Sequence, residues 1–130
     1  MIDNSLAGAC VLVVEDEYYL ADDVRSALVG LGARVVGPVP SVSEAQTIID
    51  SHPAIDCVLL DVNLRGELAF DVADVLLERN IPFAFVTGYE REALPNRFLD
   101  VKRLEKPVST DQLAQLLCIL SATASPAGLA

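Results

Sequence analysis

The chain has 130 residues, 52% of them apolar, with nineteen acids against nine basic residues and a formal net charge of −10. That is one domain's worth of sequence with enough apolar residues for a real core, and its acidity argues against a direct role on nucleic acid, which needs clustered Lys and Arg. No apolar run reaches membrane-span length and no basic region precedes an apolar stretch at the N-terminus, so no membrane segment or signal peptide is expected, and a cytoplasmic location is.

Short apolar runs alternate with stretches of helical periodicity, the pattern of a parallel sheet with crossover helices. Residues 9–14 read as the first strand. Helix one covers about residues 17–31, with Leu20, Val24, Ala27, Leu28 and Leu31 along one face and Gly32 as its terminator. Residues 34–37 form strand two, ended by Pro38 and Pro40. Helix two spans 41–51, apolar at Val42, Ala45, Ile48 and Ile49; His52 follows it before Pro53, as an exposed loop residue. Strand three, residues 55–60, is apolar except at Asp56, as expected for a strand covered on both faces.

Helix three spans about 67–79, with Leu68, Val72, Val75 and Leu76 inward, and strand four is 82–86. The stretch 90–98 has room for one or two helical turns, because Pro95 removes a donor in its middle. Strand five lies near 101–105. The last helix starts at Ser109, which has capping-box spacing to Gln112, and buries Leu113, Leu116, Leu117 and Leu120. Residues 121–130, rich in Ala and Ser, are expected to be disordered beyond a domain of residues 1–120. Cys10, Cys57 and Cys118 lie in apolar segments, too few and scattered for a zinc site, and read as buried thiols in a reducing compartment.

Five strands and five helices in this order predict an α/β fold: a flavodoxin-like (βα)5 doubly wound parallel sheet of order 2-1-3-4-5, with a short or mobile fourth helix. The apolar runs then end in Glu15-Asp16, Asp61, Thr87 and Lys106-Pro107, all at strand C-terminal ends, the edge where such sheets bind ligands. Lys106 must reach back across two strand spacings, roughly 10 Å. Taken singly, Asp16 is as readily a helix cap, and Asp61 a loop cap. Three carboxylates packed together require a cation, and Mg²⁺ (or Mn²⁺) suits oxygen ligands. Asp61 is then an oxygen nucleophile toward a phosphoryl group, with Thr87 and Lys106 on the phosphoryl oxygens.

The segments Val-Val-Glu-Asp-Glu (13–17), Leu-Leu-Asp-Val-Asn-Leu (59–64), Val-Thr-Gly-Tyr (86–89) and Glu-Lys-Pro (105–107) resemble the receiver domain of two-component response regulators over residues 9–120. The resemblance implies Asp61 as phosphoacceptor, Asp16 as a direct Mg²⁺ ligand, Glu15 as a ligand through water and the Asn63 carbonyl as a further ligand. Thr87 and Lys106 would sense the phosphoryl group. Residues 82–89 with 61–67 look like the "FAT GUY" receivers of alphaproteobacteria, which usually stand alone and take phosphate from sensor histidine kinases of the HWE or related type. Val86 departs from that motif, which carries Ala there.

The output implied is binding to an unidentified downstream protein, with a phosphate sink or relay shuttle as the alternative. A Mg²⁺-dependent phosphohydrolase is a further alternative, weakened because the second position after Asp61 holds Asn63 instead of an acid. Receivers usually carry an aromatic switch residue three positions before the lysine, where this chain has Arg103. Phosphorylation is therefore expected to order or shift residues 88–104 instead of turning a ring, the alternative being that Arg103 is simply a solvated edge residue. Tyr89 and Asn63, flanking the phosphoryl position, are candidates for tuning its hydrolysis, with Tyr89 equally readable as a packing residue or part of a partner surface.

Overall fold

The structure is a computed structural model that describes residues 6–51, 54–88 and 94–124. In chain order its elements are β1 (Cys10–Val14), α1 (Tyr18–Gly30), β2 (Arg34–Val39), α2 (Val42–Ser51) and β3 (Cys57–Asp61). A small hairpin of β4 (Asn63–Leu64) and β5 (Glu67–Leu68) follows, then α3 (Phe70–Glu78) and β6 (Phe83–Thr87). A 3-10 turn at Asn96–Phe98, β7 (Lys102–Glu105) and α4 (Thr110–Ala124) complete it.

Five strands form one parallel sheet in the order β2-β1-β3-β6-β7. With the hairpin set aside, this is the expected order 2-1-3-4-5. The three central strands are buried along their whole length, which explains their unbroken apolar runs. Alternate residues serve opposite faces. Leu12, Val14, Val58, Leu60, Phe83 and Phe85 pack with Ala45, Ile49, Val72 and Leu76 of α2 and α3. Val11, Val13, Cys57, Leu59, Ala84 and Val86 pack with Val24 and Leu28 of α1 and Leu113 and Leu117 of α4. Each fully buried Val, Leu, Ile or Phe among these contributes about 1.5–3 kcal/mol of hydrophobic stabilisation.

Helix ends follow local chemistry. Gly32 N–H donates to the Val29 carbonyl and Ala33 N–H to that of Leu28, a Schellman closure of α1. Ser109 and Gln112 form the expected capping box, with Gln112 N–H on Ser109 Oγ and Ser109 N–H on Gln112 Oε1, each at 3.1 Å.

Several boundaries differ from the sequence reading, each for a physical reason. β2 does not stop at Gly37 but runs through Pro38 to Val39, because an edge strand tolerates a missing N–H. Gly37 makes this possible: it sits at φ 87°, and a Cβ there would lie 2.9 Å from the Val13 carbonyl oxygen. The register against β1 slips between Leu12 and Val14, and the Val39 carbonyl then accepts from Glu15 N–H at 3.0 Å. Strand four of the sequence reading, β6, includes Thr87.

Residues 67–69 are not helix. They belong to the hairpin and its exit, so Leu68, expected inward, is exposed. The described residues hold four α-helices, and between β6 and β7 only the 3-10 turn takes the place of a fifth. Pro95 is the cap of that turn, and Phe98 within it is fully buried against Phe70 and Phe85, with ring centroids at 5.6 and 5.4 Å. α4 continues to Ala124, into the stretch expected to be disordered; residues 125–130 lie outside the described residues, as do His52 and Tyr89. Cys10 and Cys57 are buried as expected, and Cys118 is only partly so.

Candidate functional site

The C-terminal ends of β1, β3, β6 and β7 open into a cavity of about 300 Å³ lined by Asp16, Glu17, Asp61, Asn63, Arg65, Thr87 and Lys106, among others. Asp61 is the last residue of β3 and Thr87 the last of β6; both side chains are buried at the sheet edge. Glu15 and Asp16 follow β1 directly. Lys106 follows β7, and its N–H donates to the Thr87 carbonyl at 2.8 Å, which ties the two strand ends together.

The six residues singled out from the sequence all meet here. Glu15, Asp16 and Asp61 each offer a carboxylate oxygen within 4.8 Å of the other two. Lys106 spans the expected gap, placing Nζ 2.8 Å from Asp61 Oδ2 and 3.2 Å from Glu15 Oε1. Asn63 N–H donates to Asp61 Oδ1 at 3.0 Å, so both oxygens of Asp61 are held. The Thr87 hydroxyl donates to the Leu104 carbonyl at 3.5 Å, a long and weak bond that leaves the side chain able to turn to a better acceptor. Asp16 does not cap α1: the cap position is Glu17, whose N–H donates to Glu15 Oε2 at 3.1 Å, and no side chain caps the helix.

Electrostatics in this cluster are strained in a specific way. Burial, reinforced by the hydrogen bond and negative charge of Asp61, pushes the Glu15 carboxyl up from 4.5 to about 8, against the opposing pull of Glu17 N–H and Lys106. Burial disfavours the Lys106 ammonium, but its pairing with Asp61 and Glu15 outweighs that and raises its pKa above the usual value. Without a cation, the Glu15 carboxyl therefore keeps its proton at neutral pH. The ligand set is all oxygen, with no imidazole or thiolate, which fits a hard divalent ion such as Mg²⁺ or Mn²⁺ and not zinc.

The profile of the response regulator receiver domain matches residues 11–118. The chain belongs to this family. Receivers are in general phosphoacceptor signalling domains of two-component systems, which interact with histidine kinases, and not enzymes.

Among its relatives, this receiver is 33% identical over 97 residues to the phyllosphere-induced regulator PhyR of Methylorubrum extorquens, covering 73% of this chain and 34% of that protein. It is 41% identical over 113 residues to the positive alginate biosynthesis regulatory protein of Pseudomonas aeruginosa, covering 82% and 45%. The chain thus spans less than half the length of these curated relatives. The solution structure of SdrG from Sphingomonas melonis Fr1 superposes with a TM-score of 0.78 at 38% identity, covering 86% of this chain and 95% of that one. SdrG in its BeF3-activated conformation gives a TM-score of 0.73 at 35% identity, covering 93% and 99%.

Two charged cavity-lining side chains escaped the sequence reading as site residues: Glu17, whose Oε1 lies 3.8 Å from Lys106 Nζ, and Arg65. Arg65, at the tip of the β4–β5 hairpin, lies with Nε 3.8 Å from Asp16 Oδ2. Its only sequence signal was Arg65-Gly66 between two short segments, and Arg-Gly is not among the dipeptides that mark hairpin turns. Arg103 is exposed on the edge strand β7, next to the described 3-10 turn, and residues 89–93 lie outside the described residues. Among the described residues, no helix is long and apolar enough to cross a membrane.

Proposed function

We propose that this receiver takes a phosphoryl group onto Asp61 and signals by binding another protein. The observation that carries the proposal is the buried Asp61 carboxylate held at 2.8 Å by the Lys106 ammonium, within a cluster that offers carboxylate oxygens from three residues. Asp16, Asp61 and the Asn63 carbonyl are the residues that would hold Mg²⁺, with Glu15 acting through a water. The ion, when bound, offsets charge on the phosphoryl oxygens. Lys106 takes one phosphoryl oxygen and the Thr87 hydroxyl leaves the Leu104 carbonyl for another.

The donor is the phosphohistidine of a sensor histidine kinase, of the HWE type if the branch suggested by residues 82–89 holds. Likeness to SdrG, a protein with a BeF3-activated conformation, supports the same reading. Incubation with Mg²⁺ and acetyl phosphate should give an acid-stable, base-labile adduct on Asp61. A chain that stays unlabelled, or labels elsewhere, overturns the reading, and repeated rapid turnover of phosphomonoesters replaces it with a hydrolase.

Arg103 in place of an aromatic residue leaves no ring to turn inward at that position. Residues 88–104 are then the reporting segment, anchored at one end by Thr87 and held mid-way by buried Phe98. Amide exchange in this segment should slow on adding beryllofluoride with Mg²⁺; identical protection in both states contradicts this route.

A further inference from the structure

The β4–β5 hairpin turns through Arg65 at φ 55° and Gly66 at φ 90°, the mirror-image two-residue turn that suits right-twisted strands. Gly66 adopts this backbone freely. Arg65 does not: a side-chain-bearing residue in the left-handed region costs roughly 1–2 kcal/mol, and Asn or Asp is preferred at this position. The turn is wired to the nucleophile. Asn63 gives its N–H to Asp61 Oδ1 at 3.0 Å and accepts from Gly66 N–H at 2.7 Å through its own Oδ1. A strained backbone position is thus rigidly tied to Asp61 and used to hold a guanidinium at the mouth of the cavity.

The contact Arg65 makes there does not explain the strain. Its ion pair with Asp16 is long, at 3.8 Å, and its side chain is 74% exposed, a geometry that contributes little to stability. A guanidinium carries five donors, so this single long pair leaves most of them for another acceptor. Arg65 lines the same cavity as Asp61, Thr87 and Lys106. Of the cations there, Lys106 is held inside by two carboxylates and Arg65 stands on the solvent side.

We propose that Arg65 is a second cationic clamp on the phosphoryl group. Asp16 would hold a divalent ion, and Arg65, freed from its long pair with that carboxylate, would turn its guanidinium to the outward-facing phosphoryl oxygens. As an Asp61 carboxylate oxygen forms its bond to phosphorus, the bond from phosphorus to the donor breaks and its electron pair leaves with the donor. The charge on the non-bridging oxygens then meets Lys106 from within and Arg65 from without. The inference rests on Asp61 being the phosphoacceptor.

Arg65→Asn is the test, because Asn-Gly is a preferred pair for this turn and the variant should fold at least as stably as the parent. With Mg²⁺ present, beryllofluoride is expected to bind about tenfold more weakly to the variant, the effect of losing one charge-assisted contact. Mg²⁺ alone should bind equally or more tightly, since Asp16 is no longer shared, and Arg65→Lys should recover part of the beryllofluoride affinity. A fall in beryllofluoride affinity with no fall in Mg²⁺ affinity is something a purely structural role for the turn does not produce. Equal beryllofluoride affinity in parent and variant overturns the clamp, as does a parallel fall in Mg²⁺ affinity. A parent chain that takes no beryllofluoride at all overturns the phosphoacceptor reading, and the clamp with it.

Discussion

Asp61→Asn is expected to abolish phosphoryl uptake from acetyl phosphate and, in the absence of metal, to make the protein more stable above pH 7. The first effect is the loss of the buried carboxylate that Lys106 approaches at 2.8 Å; a neutral amide is not a competent oxygen nucleophile. The second follows from Glu15, whose carboxyl is pushed up from 4.5 to about 8 by burial and then by Asp61. A folded-state pKa raised in this way means that the folded chain holds the proton more tightly than the unfolded chain does. Its contribution is complete below pH 4.5 and is lost as pH climbs through about 8.

The metal-free parent should therefore lose stability steadily between about pH 5 and 8. In Asp61→Asn the neighbouring charge is gone, Lys106 keeps Glu15 and the longer pair to Glu17, and the slope flattens. Mg²⁺ should flatten the parent's slope as well, because it stabilises the ionised carboxylates. Thermal unfolding in chelator across this range reads all three curves. Parallel curves for parent and variant contradict a Glu15 carboxyl raised in part by Asp61.

Lys106→Ala should cost about 3 kcal/mol in the metal-free protein at pH 8, the scale for removing one partner of a buried charge cluster. The side chain is 13% exposed, so solvent screening does little to reduce that figure. For a domain of this size the loss corresponds to a melting temperature lower by roughly 10 °C. The cost should shrink toward pH 5, where Glu15, its carboxyl pushed up to about 8, holds its proton and adds no charge beside Asp61. Mg²⁺ should restore much of the stability at pH 8. Urea unfolding at both pH values separates this from a packing role: an equal cost at pH 5 and pH 8 assigns the loss to the aliphatic stem of Lys106 and not to its charge.

How much was legible beforehand differs from residue to residue. Glu15, Asp16, Asp61 and Thr87 were found because each closes or follows an apolar run, and a buried parallel strand writes itself as an unbroken apolar run. Lys106 follows the exposed edge strand β7, where only Val101 and Leu104 gave a weaker signal. Strand order then converts sequence positions into neighbours. The β4–β5 hairpin was not legible. Its strands are two residues each, too short for a period, and its turn uses Arg65 where the usual signal is Asn, Asp or Gly. Phe98 was hidden behind Pro95, which marked the segment as broken although one 3-10 turn suffices to bury the ring.

The amino-acid order alone therefore determined the sheet, the faces of its helices and the meeting of the acids with Lys106, since burial and periodicity are local properties of the chain. Only the tertiary structure decided the continuation of β2 past Pro38 and the placing of Arg65 over the cavity. It also decided the sharing of one ammonium between Glu15 and Asp61. These depend on how close groups distant in sequence approach, on an unfavourable backbone state held by surrounding contacts, and on the removal of water around charges. Periodicity carries none of those three quantities.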